Sequence, residues 1–375
     1  MGRDGRSGVA GTFLRSQGFL VVTALLAAAA VVGGLVPPRE IPAVEDIRLL
    51  ATLAALILSV ELLRTSGALD AAVQRALRRF SRARSFTTAL ILASGALSAI
   101  VTNDVALFVV VPFTVAAARY SDFRVRNAVI LEITAANLLG CLTPIGNPQN
   151  LFLFHRSGWG VGAFIGTMAP FCAASAVILG AAVVLLEPAR TITRREEAPI
   201  PVRRIPAAAG TAGVVLVLLS IARIAPPWLP LAAIAPVAIV WLRGRWNFGS
   251  LSIVPLFFFV FIDIAALRAF HFDFFARLPL APAPKLYLAG TLFSQAISNV
   301  PTAVLLASSA EGRWRLLLYA VNAGGCGTLI ASLANLLGWQ IYRNERGPDP
   351  EYLTRFYRVS FAFLAAVGVA AFLLA

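Results

Sequence analysis

The sequence predicts an all-α polytopic membrane protein of about nine full spans, built from inverted repeats with two re-entrant hairpins and two broken helices. Three observations carry this. The 375 residues are 59% apolar and only 13% charged, with a mean hydropathy of +0.81, whereas soluble domains carry about 25% charged residues. Apolar stretches near the length of a bilayer span recur along the chain. A polar motif interrupted by Gly and Pro occurs twice: 137–150 reads Asn-Leu-Leu-Gly-Cys-Leu-Thr-Pro-Ile-Gly-Asn-Pro-Gln-Asn, and 322–335 reads Asn-Ala-Gly-Gly-Cys-Gly-Thr-Leu-Ile-Ala-Ser-Leu-Ala-Asn. Asn137/Asn322, Gly140/Gly325, Cys141/Cys326, Thr143/Thr328, Ile145/Ile330 and Asn150/Asn335 coincide without a gap. Matched polar breaks in two halves mark a repeat-built membrane protein with its site at the repeat interface.

Residues 1–18, with Arg3, Arg6 and Arg15, place the N-terminus in the cytoplasm. The first half, 19–186, opens with span 19–36. Pro37-Pro38-Arg39-Glu40 follows it in place of a small-residue cleavage site, so it is a retained span and not a signal peptide. Span 49–64 returns inward, with Glu61 placed to pair with Arg64. In 67–85, arginines alternate at helical period with Leu69, Val73 and Leu77, the pattern of a helix lying on the inner membrane face. The hairpin 86–118 has two apolar arms around Thr102-Asn103-Asp104. Arms of about 15 residues reach only ~23 Å, and arginine on both flanks implies entry and exit by one face. The segment 127–154 crosses outward, broken at 143–150 by Pro144, Gly146 and Pro148. Asn147 before Pro148 fits an N-cap with proline at the first helical position, so the helix restarts there. Span 160–186 returns to the linker 187–206, rich in arginine.

The second half, 207–375, repeats this plan upside down. Spans 206–224, 229–242 and 251–268 precede an aromatic stretch, 270–280, expected on the outer face. The hairpin 286–309, with Ser298-Asn299-Val300-Pro301 at its tip, then enters from outside. The broken helix 316–341 leads back in, and 359–375 is the last span.

Composition excludes several classes. The formal charge of +14 is almost wholly arginine, Lys285 being the only lysine, and the arginines lie scattered in short loops. They follow the positive-inside rule and form no nucleic-acid patch. Cys141, Cys172 and Cys326 are an odd number in apolar surroundings, which argues against a disulfide framework. His155 and His271 have no metal-ligand spacing. No Gly-rich phosphate loop with Lys exists, so an ion gradient is the expected energy source. The contrasting class, a membrane-embedded enzyme, finds no metal or nucleophile constellation.

At Thr-Asn-Asp-Val-Ala-Leu-Phe-Val-Val-Val-Pro (102–112), Thr-Pro-Ile-Gly-Asn-Pro-Gln-Asn (143–150), Ser-Gln-Ala-Ile-Ser-Asn-Val-Pro (294–301) and Gly-Thr-Leu-Ile-Ala-Ser-Leu-Ala-Asn (327–335), the chain resembles the ion-transporter superfamily of arsenite permeases, sodium/proton antiporters and citrate or dicarboxylate carriers. It is most similar to a short, citrate-permease-like subgroup of the bacterial inner membrane. The resemblance implies an elevator-like motion, a homodimer in the lipid bilayer, and cation sites where each hairpin tip meets its broken helix. Site one would comprise Thr102, Asn103, Asp104, Thr143, Gly146 and Asn147. Site two would comprise Ser298, Asn299, Thr328 and Ser332. No cofactor is expected beyond Na⁺ as a coupling ion. The chain departs from the Ser-Asn-Thr tips of the dicarboxylate carriers at Asp104 and at Val300-Pro301.

The expected function is secondary active transport of a small anion, an organic carboxylate or oxyanion, coupled to Na⁺ or H⁺. The alternative is cation/proton antiport. Asp104 either caps helix 105–118 or binds the coupling ion, since ionisable groups inside a membrane are functional by default. Glu132 either faces cytoplasmic water or pairs with Arg126, or it serves as a relay, and Asp263 is a second relay candidate. Asn150 and Asn335 are expected to tie the restarted helices together, and Cys141 and Cys326 to let helices approach.

Overall fold

The computed structural model describes residues 20–37, 39, 44–195, 200–221, 224–243, 251–269, 280, 282–310 and 312–375. The cytoplasmic N-terminus expected at 1–18 lies outside them, as does the aromatic stretch 270–280 apart from Leu280. The described chain is all-helical, in the order α1 Leu20–Val32, α2 Val44–Thr65, α3 Ala68–Arg79, α4 Ala83–Ile100, α5 Asn103–Tyr120, α6 Val125–Leu138, α7 Pro148–Ser157, α8 Val161–Leu186, α9 Arg204–Ile221, α10 Leu229–Trp241, α11 Ile253–Ala269, α12 Ala283–Ile297, α13 Asn299–Leu306, α14 Trp314–Ala323, α15 Leu333–Arg346 and α16 Tyr352–Leu374. Among the described residues, 6 helices are long and apolar enough to cross a membrane, or 7 if α2 and α3, bent by 71°, count as one span. With the hairpin arms α4 and α5 set aside, the expected nine consists of α6 continued by α7, α8, α9 and α16 together with α2, the shorter α1, α10 and α11, and the broken pair α14–α15.

Both ends of the first hairpin come to one face. Arg82 bridges to Thr191 and Ser121 to Arg194, so α4 begins and α5 ends against the same linker. Its arms are 18 residues each, or ~27 Å. They are therefore longer than expected, and re-entry rests on this shared anchorage and not on short arms. The second hairpin is anchored at the opposite face. Arg313, just after it, donates to Leu280 O at 3.2 Å, just before it, and the neighbouring Arg315 bonds Leu374 O at the end of α16. α16 starts beside Asp349 and Glu351, which pair with Arg126 on the first hairpin's side. The two hairpins therefore enter from opposite faces.

Each hairpin packs on its broken helix through small residues, which let backbones approach as in membrane helix pairs generally. Ser94 and Ser98 of α4 donate to Glu132 O (2.9 Å) and Ala136 O (2.8 Å) of α6. In the second copy Gly290 of α12 lies so close to α14 that an added Cβ would be 2.7 Å from Ala320 Cβ. The second arms cross over: α5 packs against α15, and α13 against α7. The repeats thus interlock at the centre of the molecule.

Three boundaries differ from expectation. α3 stops at Arg79, so 83–85 belongs to the hairpin; its Val73 and Leu77 are buried against the protein while Arg75, Arg78 and Arg79 are exposed. α15 runs on to Arg346. The last helix starts at Tyr352, so Arg355 and Arg358 stand on its first turns instead of in a loop.

Candidate functional site

A helix broken at membrane depth must find partners for its freed backbone groups inside the protein. Both breaks do so with the residues of the repeated motif. In the first, Asn150 Nδ2 donates to Cys141 O (3.0 Å) and Asn103 N to Gly146 O (2.9 Å). Thr143 Oγ1 donates to Ala99 O in the last turn of α4 (2.5 Å). In the second, Asn335 Nδ2 donates to Gly325 O (2.9 Å) and Thr328 O (3.1 Å), and Thr328 Oγ1 to Gln295 O in the last turn of α12 (2.8 Å). Gln295 also reaches under the break, where its Nε2 donates to Gly324 O and Cys326 O and its Oε1 accepts from Thr328 N. That seat requires Gly327: its φ is +105°, and an added Cβ would be 2.1 Å from Gln295 Oε1. Gly146 is equally constrained, since its Cβ would be 1.9 Å from Gly140 O.

The two breaks meet through the paired asparagines Asn137 and Asn322. Asn137 Oδ1 accepts from Asn103 Nδ2 (3.1 Å) and from Ser332 Oγ (2.9 Å), and Asn137 Nδ2 donates to Asn335 Oδ1 (2.9 Å). The pattern recurs around Asn322, whose Oδ1 accepts from Asn147 Nδ2 (3.2 Å) and Gln149 Nε2 (3.1 Å) while its Nδ2 donates to Asn150 Oδ1 (2.7 Å). Asn137 to Asn335 and Asn322 to Asn150 are the same bond under the repeat relation. Asn150 and Asn335 therefore do more than tie their own helix together, because each also bridges the halves.

The structure places the site-one residues at the first tip and its break. Thr102 is the N-cap of α5, accepting from Val105 N at 3.4 Å. Asp104 lies within the first turn and is not the cap, which corrects the capping reading. Asn147 precedes Pro148 but its side chain makes no cap bond; it turns instead to Asn137 O and Asn322. Three buried acceptor oxygens in this group, Asn103 Oδ1, Asp104 Oδ1 and Asn147 Oδ1, have no hydrogen-bond partner among the described residues.

The site-two residues divide. Thr328 meets the second hairpin through Gln295, and Asn299 lies against Gly325, whose added Cβ would be 3.0 Å from Asn299 Nδ2. Ser332 caps α15 and bonds across to Asn137, so it serves the first cluster. Ser298 holds φ 72°, the only positive φ outside glycine among the described residues. Such a conformation costs of order 1–3 kcal/mol and concentrates at functional positions.

The relay candidates stand apart. Glu132 is fully buried and accepts from Thr114 Oγ1 at 2.5 Å. It does not pair with Arg126, which binds Asp349 and Glu351 instead. Asp263 is half-buried on α11 beside Ile262 and Ala266, which pack on α1, and joins neither site. Glu61 pairs with Arg64 at 2.7 Å. Cys141 and Cys172 are free thiols with sulfurs 3.6 Å apart. Asn137 and Asn322 were missing from the expected sites although they opened the repeat match. Gln149 and Gln295 were missed too; a glutamine in an otherwise apolar membrane segment was the available signal.

The chain's residues 17–324 match the citrate transporter (CitMHS) family model, which covers the first break and stops just before Gly325 of the second. The inner membrane protein YbiR of Escherichia coli K12 is 30% identical over 311 residues, 82% of this chain and 83% of that protein. The uncharacterized transporter MJ0456 of Methanocaldococcus jannaschii is 32% identical over 315 residues, 81% of this chain and 83% of that protein. With these relatives the chain is a membrane transporter and not an enzyme. It belongs to the citrate transporter family.

Proposed function

We propose that the protein carries a small carboxylate or related oxyanion across the inner membrane, coupled to a cation bound at the first hairpin tip. The observation that carries this reading is the set of three orphaned buried oxygens, Asn103 Oδ1, Asp104 Oδ1 and Asn147 Oδ1. A buried acceptor without a donor is costly, and a cation relieves it because hard cations take oxygen ligands. The anion would be held by the N-termini of α5, α7, α13 and α15, whose positive dipole ends open at the tips and breaks. The family's name favours citrate or a similar carboxylate. Na⁺ suits the oxygen set without a proton-transfer partner, and H⁺ is the competing coupling ion because Asp104 is a carboxylate.

One observation favours cation/proton antiport as a second reading. Among the described residues no arginine or lysine takes part in the central network of Asn103, Asn137, Asn147, Asn322 and Asn335, so none of them clamps a carboxylate there. Proteoliposome flux separates the two. Labelled citrate or succinate is expected to accumulate when a Na⁺ or proton gradient is imposed. Na⁺-driven proton movement without any anion flux would replace the first reading by the second.

A further inference from the structure

Away from the tips, the face that anchors the first hairpin holds a cavity of about 870 Å³. Its wall at Ala118 is roughly 23 Å along α5 from the tip at Asn103, so it is separate from the central site. Six arginines line it: Arg124, Arg126, Arg195, Arg346, Arg355 and Arg358. Three carboxylates also line it, but each is already engaged. Asp349 takes two bonds from Arg126 at 2.9 Å each and one from Tyr342 at 2.7 Å, and Glu351 takes Arg126 at 2.7 Å. Asp122 is held by Arg190, which stands outside the cavity, and by Thr193 N. Burial works against the Asp349 carboxylate, but the Arg126 and Tyr342 hydrogen bonds outweigh it and hold the group below the ordinary carboxylate range. Asp349 therefore stays ionised at neutral pH.

The other five arginines form no salt bridge with the carboxylates that line the cavity, although Glu187, outside the lining, lies within electrostatic reach of Arg124 and Arg355. Arg355 donates to Asn127 Oδ1 (3.0 Å) and Arg195 to Arg119 O (3.2 Å). Arg124, Arg346 and Arg358 make no hydrogen bond or salt bridge with any described residue. The positive-inside rule explains why arginines gather on this face. It does not explain why the acids that line the cavity are spent on Arg126 and Arg190 while three guanidiniums, from the start of α6, the end of α15 and the first turns of α16, line one hollow without a salt bridge.

We propose that this cavity binds a multivalent oxyanion of the phosphate type, through Arg124, Arg346 and Arg358. Guanidinium forks match phosphate oxygens in a bidentate way. Donors arriving from three elements suit a tetrahedral group with acceptors on every side better than a planar carboxylate. Free phosphate and the headgroup of an anionic phospholipid offer the same chemistry, and the cavity lies at the end of α5 and the start of α16, two helices long enough to span a bilayer.

The full-length protein tests this in two arms. In phosphatidylcholine nanodiscs, inorganic phosphate is titrated calorimetrically. In parallel, native mass spectrometry measures retention of phosphatidylglycerol over phosphatidylcholine. Binding in the first arm alone assigns a soluble anion, in the second alone a headgroup, and in both a site that accepts either. The variant R124Q/R346Q/R358Q is expected to weaken the observed binding about tenfold or more for each guanidinium removed, and R156Q at the opposite end to leave it unchanged. The corresponding Lys variant keeps charge and topology but lacks the fork, and should fall between. If the triple Gln variant does not fold, R358Q alone, on an exposed helix face, is read instead. Binding of neither probe, or binding that these variants retain in full, overturns the proposal.

Discussion

Asp104 is the residue on which the coupling scheme turns, and its surroundings now separate its two readings. Thr102 caps α5, so the carboxylate is free of that duty. Asp104→Asn keeps the shape and removes the charge. The protein is expected to fold and insert normally, with ion-driven uptake in proteoliposomes lost and its pH dependence flattened; undiminished coupling in this variant would remove the cation site from the first tip. Asn137 and Asn322 form the other residue-scale pair. Truncating Asn137 to Ala strands buried partners at Asn103, Ser332 and Asn335, and stranding each buried polar group costs about 1–3 kcal/mol. The repeat relation predicts that Asn322→Ala destabilises by a similar amount, about 3 kcal/mol or more, in denaturant titrations in detergent. A large effect at one position and none at the other would deny that the bonds are equivalent. The sequence paired these two asparagines but could not assign them, because spacing within one segment says nothing about what the other segment places opposite.

At the scale of elements, the first hairpin tip is seated on its break by the bond from Asn103 N to Gly146 O, and Gly146 has no room for a side chain. Its added Cβ would meet backbone, Gly140 O at 1.9 Å and Ser98 O at 3.1 Å, which cannot swing aside. Gly146→Ala should therefore unseat the first tip and abolish transport, whereas Gly166→Ala on α8, with nothing within 4 Å, should be silent. Equal flux in the two variants would argue against a rigid seat. The breaks themselves were legible, since Pro144, Gly146 and Pro148 stand inside an apolar run. Arm length was not: α4 starts at Ala83, within a stretch whose basic period reads equally well as a surface helix. Glu132 shows the same blindness. From sequence it stands six residues from Arg126, but α6 turns it inward to Thr114, while Asp349 and Glu351, far along the chain, claim the arginine.

For the whole molecule, the inverted plan is a geometric claim with a direct test. The linker 190–195 holds both ends of the first hairpin, and α8, 26 residues long and so ~39 Å, carries the chain from Arg156 to that linker. α16, 23 residues long, runs from the Arg126 side to Arg315 at the other end. Positions 78 and 195 should then share one side of the membrane, and 156 and 313 the other, with the arginine-rich side cytoplasmic. The three native cysteines are buried, at 0%, 8% and 2% exposure for Cys141, Cys172 and Cys326, so they add little labelling background. Single cysteines at Arg78, Arg195, Arg156 and Arg313 are expected to react with an impermeant maleimide in two groups, the first pair only after the cells are opened. Labelling of positions 78 and 313 from the same side would break the inverted repeat. It would also leave the matching bonds of Asn137 and Asn322 without the symmetry that relates them.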